Sequence, residues 1–195
     1  LTIKSNGDAI RCEEFNSADG TTNIKSSASD GIDADDAINI TGGKVTVEAL
    51  QKSCLKVRRV NNQEKLNEGK TGVKANDGIN KPDHTFKIDG GTVVAMGKNI
   101  TTLKSVKSGQ TTSKQASIVC KSVKAKGSEA AKKAINFSIK GSGVNASSGA
   151  KCIKYLYSSP SVDSSKEYTV SSSGYSDEKV VFTGKAGVAK IIVTV

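Results

Sequence analysis

The chain repeats a glycine pair between two short alternating strands at a fixed distance. Ile38-Asn39-Ile40-Thr41-Gly42-Gly43-Lys44-Val45-Thr46-Val47 and Phe86-Lys87-Ile88-Asp89-Gly90-Gly91-Thr92-Val93-Val94 share this pattern, 48 residues apart. A second unit, an acidic turn followed by an aliphatic residue, occurs at Gly7-Asp8-Ala9-Ile10, Ser29-Asp30-Gly31-Ile32 and Asn76-Asp77-Gly78-Ile79, at steps of 22 and 47 residues. A step of about 22 to 24 residues, once single and once doubled, is the trace that stacked rungs of a β-solenoid leave. The strands are short, alternate with period two, and end in Asn, Asp and Gly, which tolerate the positive φ of tight turns.

Composition agrees with a folded, all-β chain. There are 195 residues, within one domain's length, with four Phe, four Tyr, two Pro and no Trp. A solenoid fills its core with stacked medium-sized aliphatics and needs few aromatic anchors, and the short β-branched runs argue against disorder. Residues 1–97 carry the regular rungs. Arg58–Thr71 is a polar excursion that we read as a loop bulging from one rung, and Ser128–Lys133 as a helical turn. From Ala116 the strands lengthen: Ser117–Val123, Ala134–Lys140, Cys152–Tyr157, Tyr168–Ser171, Val180–Thr183 and Ile191–Val195. Residues 98–195 are therefore expected to form less regular rungs or a β-rich cap, because an open last rung exposes strand edges.

No segment is long and apolar enough to span a bilayer. The chain opens at Leu1, which reads as a mature or trimmed start, so the lack of a signal peptide carries no weight. Cys12, Cys54, Cys120 and Cys152 form no C-x-x-C pair, which leaves a zinc knuckle unsupported. Two disulfides are open to such a chain, but small, mostly buried thiols are the favoured reading. Charge is uneven: residues 1–97 are net −1 (13 Lys+Arg, 14 Asp+Glu) and residues 98–195 net +11 (16 Lys, 5 Asp+Glu). A basic surface favours anionic partners. The cations are nearly all lysine, with no basic aromatic cluster, so nucleic acid is not expected.

Asp30-Gly31-Ile32-Asp33-Ala34-Asp35-Asp36-Ala37-Ile38-Asn39-Ile40-Thr41-Gly42-Gly43-Lys44-Val45-Thr46-Val47 resembles the repeat of a family of secreted bacterial carbohydrate-binding β-helix domains with a pectate-lyase-like fold. Lys151-Cys152-Ile153-Lys154-Tyr155-Leu156-Tyr157-Ser158-Ser159-Pro160 and Lys166-Glu167-Tyr168-Thr169-Val170 resemble that family's C-terminal portion, so the resemblance covers most of residues 1–175. It implies a right-handed single-stranded parallel β-helix, bound calcium, and binding of cellulose-like or polygalacturonate chains. The stretch Arg58–Thr71 departs from the regular repeat.

The acidic turns carry the chemistry. Asp8, Asp30 and Asp77 occupy equivalent places in different rungs, and rungs stack about 4.8 Å apart. Stacked carboxylates repel, and Ca²⁺, which takes six to eight hard oxygens in loose geometry, relieves the repulsion. Asp33, Asp35 and Asp36 add oxygens beside Asp30; the competing reading is solvated, metal-free turns. Lys56, Arg58 and Lys74 are candidates for contacting a sugar. With Arg59 they are also the candidate bases for a calcium-dependent β-elimination, although a solvated basic face is favoured over catalysis. His84, the only histidine, excludes His-based triads and multi-His sites. Tyr155 and Tyr157 suit packing better than sugar stacking. Four Asn-x-Ser/Thr sequons, at Asn39, Asn99, Asn136 and Asn145, carry no weight in a chain read as bacterial.

The expectation is a single all-β domain over 1–195: a parallel β-helix with a closing C-terminal region. Its expected function is a non-catalytic, calcium-containing module for an acidic or cellulose-like polysaccharide, secreted or at the cell surface, and monomeric. A polysaccharide lyase and an adhesin-like structural protein are the alternatives.

Overall fold

The computed structural model of the chain describes residues 1–57, 85–99, 114–122, 134–172, 175–181 and 188–193. The first eight strands are β1 (Thr2–Ser5), β2 (Ile10–Ser17), β3 (Thr21–Ser26), β4 (Ile32–Ile40), β5 (Lys44–Ser53), β6 (Leu55–Val57), β7 (Thr85–Ile88) and β8 (Thr92–Asn99). The other seven are β9 (Ser117–Ser122), β10 (Phe137–Gly141), β11 (Val144–Ser147), β12 (Lys154–Ser158), β13 (Glu167–Ser172), β14 (Tyr175–Val181) and β15 (Val188–Val193). The helical turn expected over Ser128–Lys133 and the excursion Arg58–Thr71 lie outside the described residues.

The repeats dictate the pairing in the first half. β1, β3, β5 and β8 pair in parallel, Thr2 against Asn23, Thr21 against Lys44 and Lys44 against Thr92. β2 pairs in parallel with β4, whose other edge is shared by β6 along Ile32–Ala34 and β7 along Ala37–Ile40. The glycine pairs stack between layers. A Cβ on Gly42 would collide with the Ala18 carbonyl oxygen, and one on Gly90 with that of Thr41. The second member of each pair adopts the left-handed region, with φ of +71° at Gly43 and +74° at Gly91. Lys44 N donates to Gly20 O and Thr92 N to Gly43 O, both at 2.8 Å. One glycine thus permits close approach, and the other turns the chain.

The chain is all-β, but it is not a right-handed single-stranded parallel β-helix. Among the described residues, β8 is the last strand of this parallel series. β12 runs antiparallel between β8 and β9, and β15 then pairs in parallel with β9, which completes a mixed seven-stranded sheet in the order β1-β3-β5-β8-β12-β9-β15. A single-stranded parallel solenoid needs every rung to advance in one direction, and β12 reverses it. β11, β10, β13 and β14 form a separate, wholly antiparallel sheet. In the β10–β11 hairpin, Ser142 (φ 43°) and Gly143 (φ 81°) both take left-handed conformations.

Alternation along the strands places the cores. Val45, Val47, Val93 and Ala95 of the seven-stranded sheet meet Ile32, Ala34, Ile38, Ile40, Leu55, Phe86 and Ile88 of the parallel sheet in one apolar cluster. Ile118, Cys120 and Tyr155 turn the other way and pack with Phe137, Ile139, Tyr168 and Val170 of the antiparallel sheet. β8, β12 and β9 are therefore covered on both faces. Such strands read as near-continuous apolar runs, as Ile118-Val119-Cys120 does. Each fully buried Ile or Val here contributes about 1.5–3 kcal/mol.

Candidate cation site

The parallel register brings the acidic turns together. Asp8 precedes β2 and Asp30 precedes β4; Ala9 N donates to Asp30 O (3.1 Å) and Ile10 N to Gly31 O (3.0 Å), so the two turns stack. Asp8 Oδ1 accepts from Asp30 N at 3.1 Å and, in a short hydrogen bond, from Ser29 Oγ. Asp30 Oδ1 accepts from Ser53 N at 2.8 Å. Each carboxylate thus satisfies a backbone donor of the next layer. Asp-Gly at 30–31 has a second cause, since a Cβ on Gly31 would strike Val47 and the Cys54 carbonyl.

Asp33 joins this pair from within β4. Its side chain is fully buried, and that of Asp30 is 6% exposed. Lys56 on β6 stands opposite Asp33 in register. Its Nζ donates to Asp30 Oδ2 at 2.8 Å and lies 3.5 Å from Asp33 Oδ2. Arg11 of β2 is in register with Asp33 on the other side. Ligand oxygens of Asp8, Asp30 and Asp33 all lie within 4.8 Å of one another. Two ligands of one Ca²⁺ at 2.3–2.6 Å are at most about 5 Å apart, so three carboxylates at this spacing are close enough to hold a metal ion.

Of the residues singled out from sequence, Asp8, Asp30 and Asp33 converge. Asp35 is half-buried further along β4, where it and Asp33 add to burial in raising the Cys12 thiol pKa. Asp36 is a backbone member of β4. Asp77, Arg58, Arg59, Lys74 and His84 lie outside the described residues. Lys56, a candidate sugar contact and base, is an ammonium partner of the acidic cluster. The signal for this role was the rung step itself, since Lys56 lies 23 residues beyond Asp33.

The remaining candidates are structural. Tyr155 is fully buried and stacks on Phe137 with centroids 6.3 Å apart, and Tyr157 is partly buried against the same core. All four cysteines are free thiols; Cys54, Cys120 and Cys152 are buried, and burial pushes the Cys152 pKa up to about 12. Asp89 and Asp163 line an open cavity of about 500 Å³ with Lys114 and Gln115. Both carboxylates accept from the backbone: Asp89 Oδ1 accepts from Lys114 N of the following segment at 2.8 Å, and Asp163 Oδ1 holds a local turn by accepting from Ser165 N (2.8 Å) and Oγ (2.7 Å). The Ser165 donors keep the Asp163 carboxyl below the usual range. No protein-family model, curated protein or solved structure matches the chain.

Proposed function

We propose that the chain is a non-catalytic carbohydrate-binding module for an extended, acidic or cellulose-like polysaccharide, with Ca²⁺ held by Asp8, Asp30 and Asp33. The observation that carries this reading is the convergence of three carboxylates, two from stacked turns and one from β4, at one edge of the parallel layers. Hard carboxylate oxygens suit Ca²⁺ better than a softer metal. A calcium ion there would neutralise the cluster and offer its remaining coordination positions to a sugar carboxylate. The +11 balance of residues 98–195 supports an anionic polymer over a neutral one. The quoted repeat resembling secreted bacterial carbohydrate-binding domains supports the same ligand class and a secreted or cell-surface location.

Affinity electrophoresis tests the reading. The protein is expected to be retarded in gels containing polygalacturonate with calcium, and released by chelator. Unsaturated, ultraviolet-absorbing products would instead make it a lyase. No retardation by polygalacturonate, cellulose derivatives or neutral glucans would leave a structural surface protein.

A further inference from the structure

Gly7 is the one glycine among the described residues that the backbone does not require. Its φ lies outside the left-handed region, and a Cβ there would meet nothing nearer than Ser5 Oγ at 3.9 Å. Every other described glycine has a positive φ or a neighbour that a side chain would strike. What Gly7 does provide is an unshielded backbone amide directly after Asn6. Asn6-Gly7 is the only Asn-Gly pair in the chain, and both residues are exposed in the turn between β1 and β2.

Two serine hydroxyls meet the two groups of this pair that can react. Ser27 Oγ donates to Asn6 Oδ1 at 2.8 Å, which polarises the side-chain carbonyl. Gly7 N donates to Ser5 Oγ at 3.1 Å, which places a proton acceptor on the amide. Ser26 Oγ donates to Gly7 O at 2.8 Å and holds the turn against β3. The layer step supplies these partners: Ser27 N donates to Ser5 O at 3.0 Å, so Ser27 stands beside Asn6 in the next layer. A donor on the oxygen where charge develops and an acceptor on the nucleophile's proton are what acyl transfer needs.

We propose that Asn6 is a site of self-modification, at which the fold promotes deamidation to aspartate and isoaspartate. The Gly7 nitrogen attacks Asn6 Cγ, and its proton leaves through Ser5 Oγ to water. The oxyanion formed on Asn6 Oδ1 keeps the Ser27 hydrogen bond. Collapse of the tetrahedral centre breaks the Cγ–Nδ2 bond, and ammonia departs with a proton taken from water. A five-membered succinimide ring remains, and water opens it at either carbonyl to leave aspartate or isoaspartate at position 6. Nucleophile and electrophile are adjacent in one chain, so proximity favours ring closure. The product adds a negative charge two residues before Asp8, and isoaspartate also lengthens the backbone by one atom. Asp8 Oδ1 accepts from Asp30 N, so the change is passed to the next turn. The inference rests neither on bound calcium nor on a glycan.

The test is peptide mapping by mass spectrometry of the whole chain after incubation in mildly alkaline buffer. A gain of one mass unit is expected at Asn6 ahead of every other described asparagine, with isoaspartate detected by its specific enzymatic methylation. Ser27→Ala and Ser5→Ala should each slow the reaction about tenfold, the scale of one lost hydrogen bond. Gly7→Ala, which the fold accommodates, should slow it further by shielding the amide. In urea the serine effect should vanish, so that Ser27→Ala and the wild type react alike. An Asn6 that stays intact in the folded chain would overturn the proposal. So would equal rates in the folded wild type, Ser27→Ala and Ser5→Ala, which would leave only the reactivity of any Asn-Gly pair.

Discussion

Asp33 and Lys56 stand side by side on neighbouring parallel strands, and removing the ammonium takes one ion-pair partner from a fully buried carboxylate. With the Lys56 side chain 30% exposed, water recovers part of the loss. Lys56→Met should therefore cost about 1–3 kcal/mol, below the range for a wholly buried pair. Calcium should recover stability in this variant, since a ligand that binds only the native state shifts unfolding by mass action. Urea titrations in chelator and in calcium check both points. Tyr155 gives the opposite sign. Its fully buried hydroxyl hydrogen-bonds nothing, so Tyr155→Phe should be neutral or raise stability by about 1 kcal/mol. The thiols set the alkaline limit. The folded Cys152 pKa lies near 12 against an ordinary 9.0, so the native state keeps its proton longer than the unfolded chain does. That stability is fully present below about pH 9 and is lost as pH rises toward 12, at up to about 1.4 kcal/mol per pH unit per group. Unfolding midpoints measured across this range should hold steady to pH ~9 and then fall. Of the four thiols, half-buried Cys12 should react first with a thiol reagent in the native state.

At the scale of elements, the glycine pairs join turn to turn through direct backbone contact. Gly42→Ala places a methyl against the Ala18 carbonyl, whereas Gly7→Ala meets nothing closer than Ser5 Oγ at 3.9 Å. Gly42→Ala should lower the urea midpoint by the equivalent of about 1–3 kcal/mol with an unchanged slope, and Gly7→Ala by a few tenths at most. These turns were legible in the sequence because parallel stacking forces equivalent residues to recur at a near-constant step. The convergence of Asp8 with Asp30 followed from the same step. Lys56 was not identified as their partner, although the step from Asp33 leads to it. A lysine with no repeat signature of its own reads as solvated until the register is applied. The antiparallel strands left no such trace. The pairing of β11, β10 and β13 follows from two reversals of direction, and a reversal imposes no repeat.

In the whole molecule, the seven-stranded sheet links two cores. β8 and β12 contribute Ala95 and Leu156 to one cluster and Met96 and Tyr155 to the other. A cavity opened in either core weakens the strands both share. Ile38→Ala, in the first cluster, should cost about 2–5 kcal/mol and keep a single unfolding transition by fluorescence and circular dichroism. The solenoid expectation failed here for a physical reason. Residues 1–97 carry the period, but the covering of the open sheet is achieved by a reversed strand and a second sheet instead of further rungs. The functional account depends less on that architecture than on the carboxylates gathered at its edge. Calorimetric titration of calcium into the chelator-stripped protein tests this most directly. The account predicts saturable binding in the wild type that is lost in Asp30→Asn and in Asp33→Asn. No binding heat, or equal binding in variants that remain folded, would contradict it.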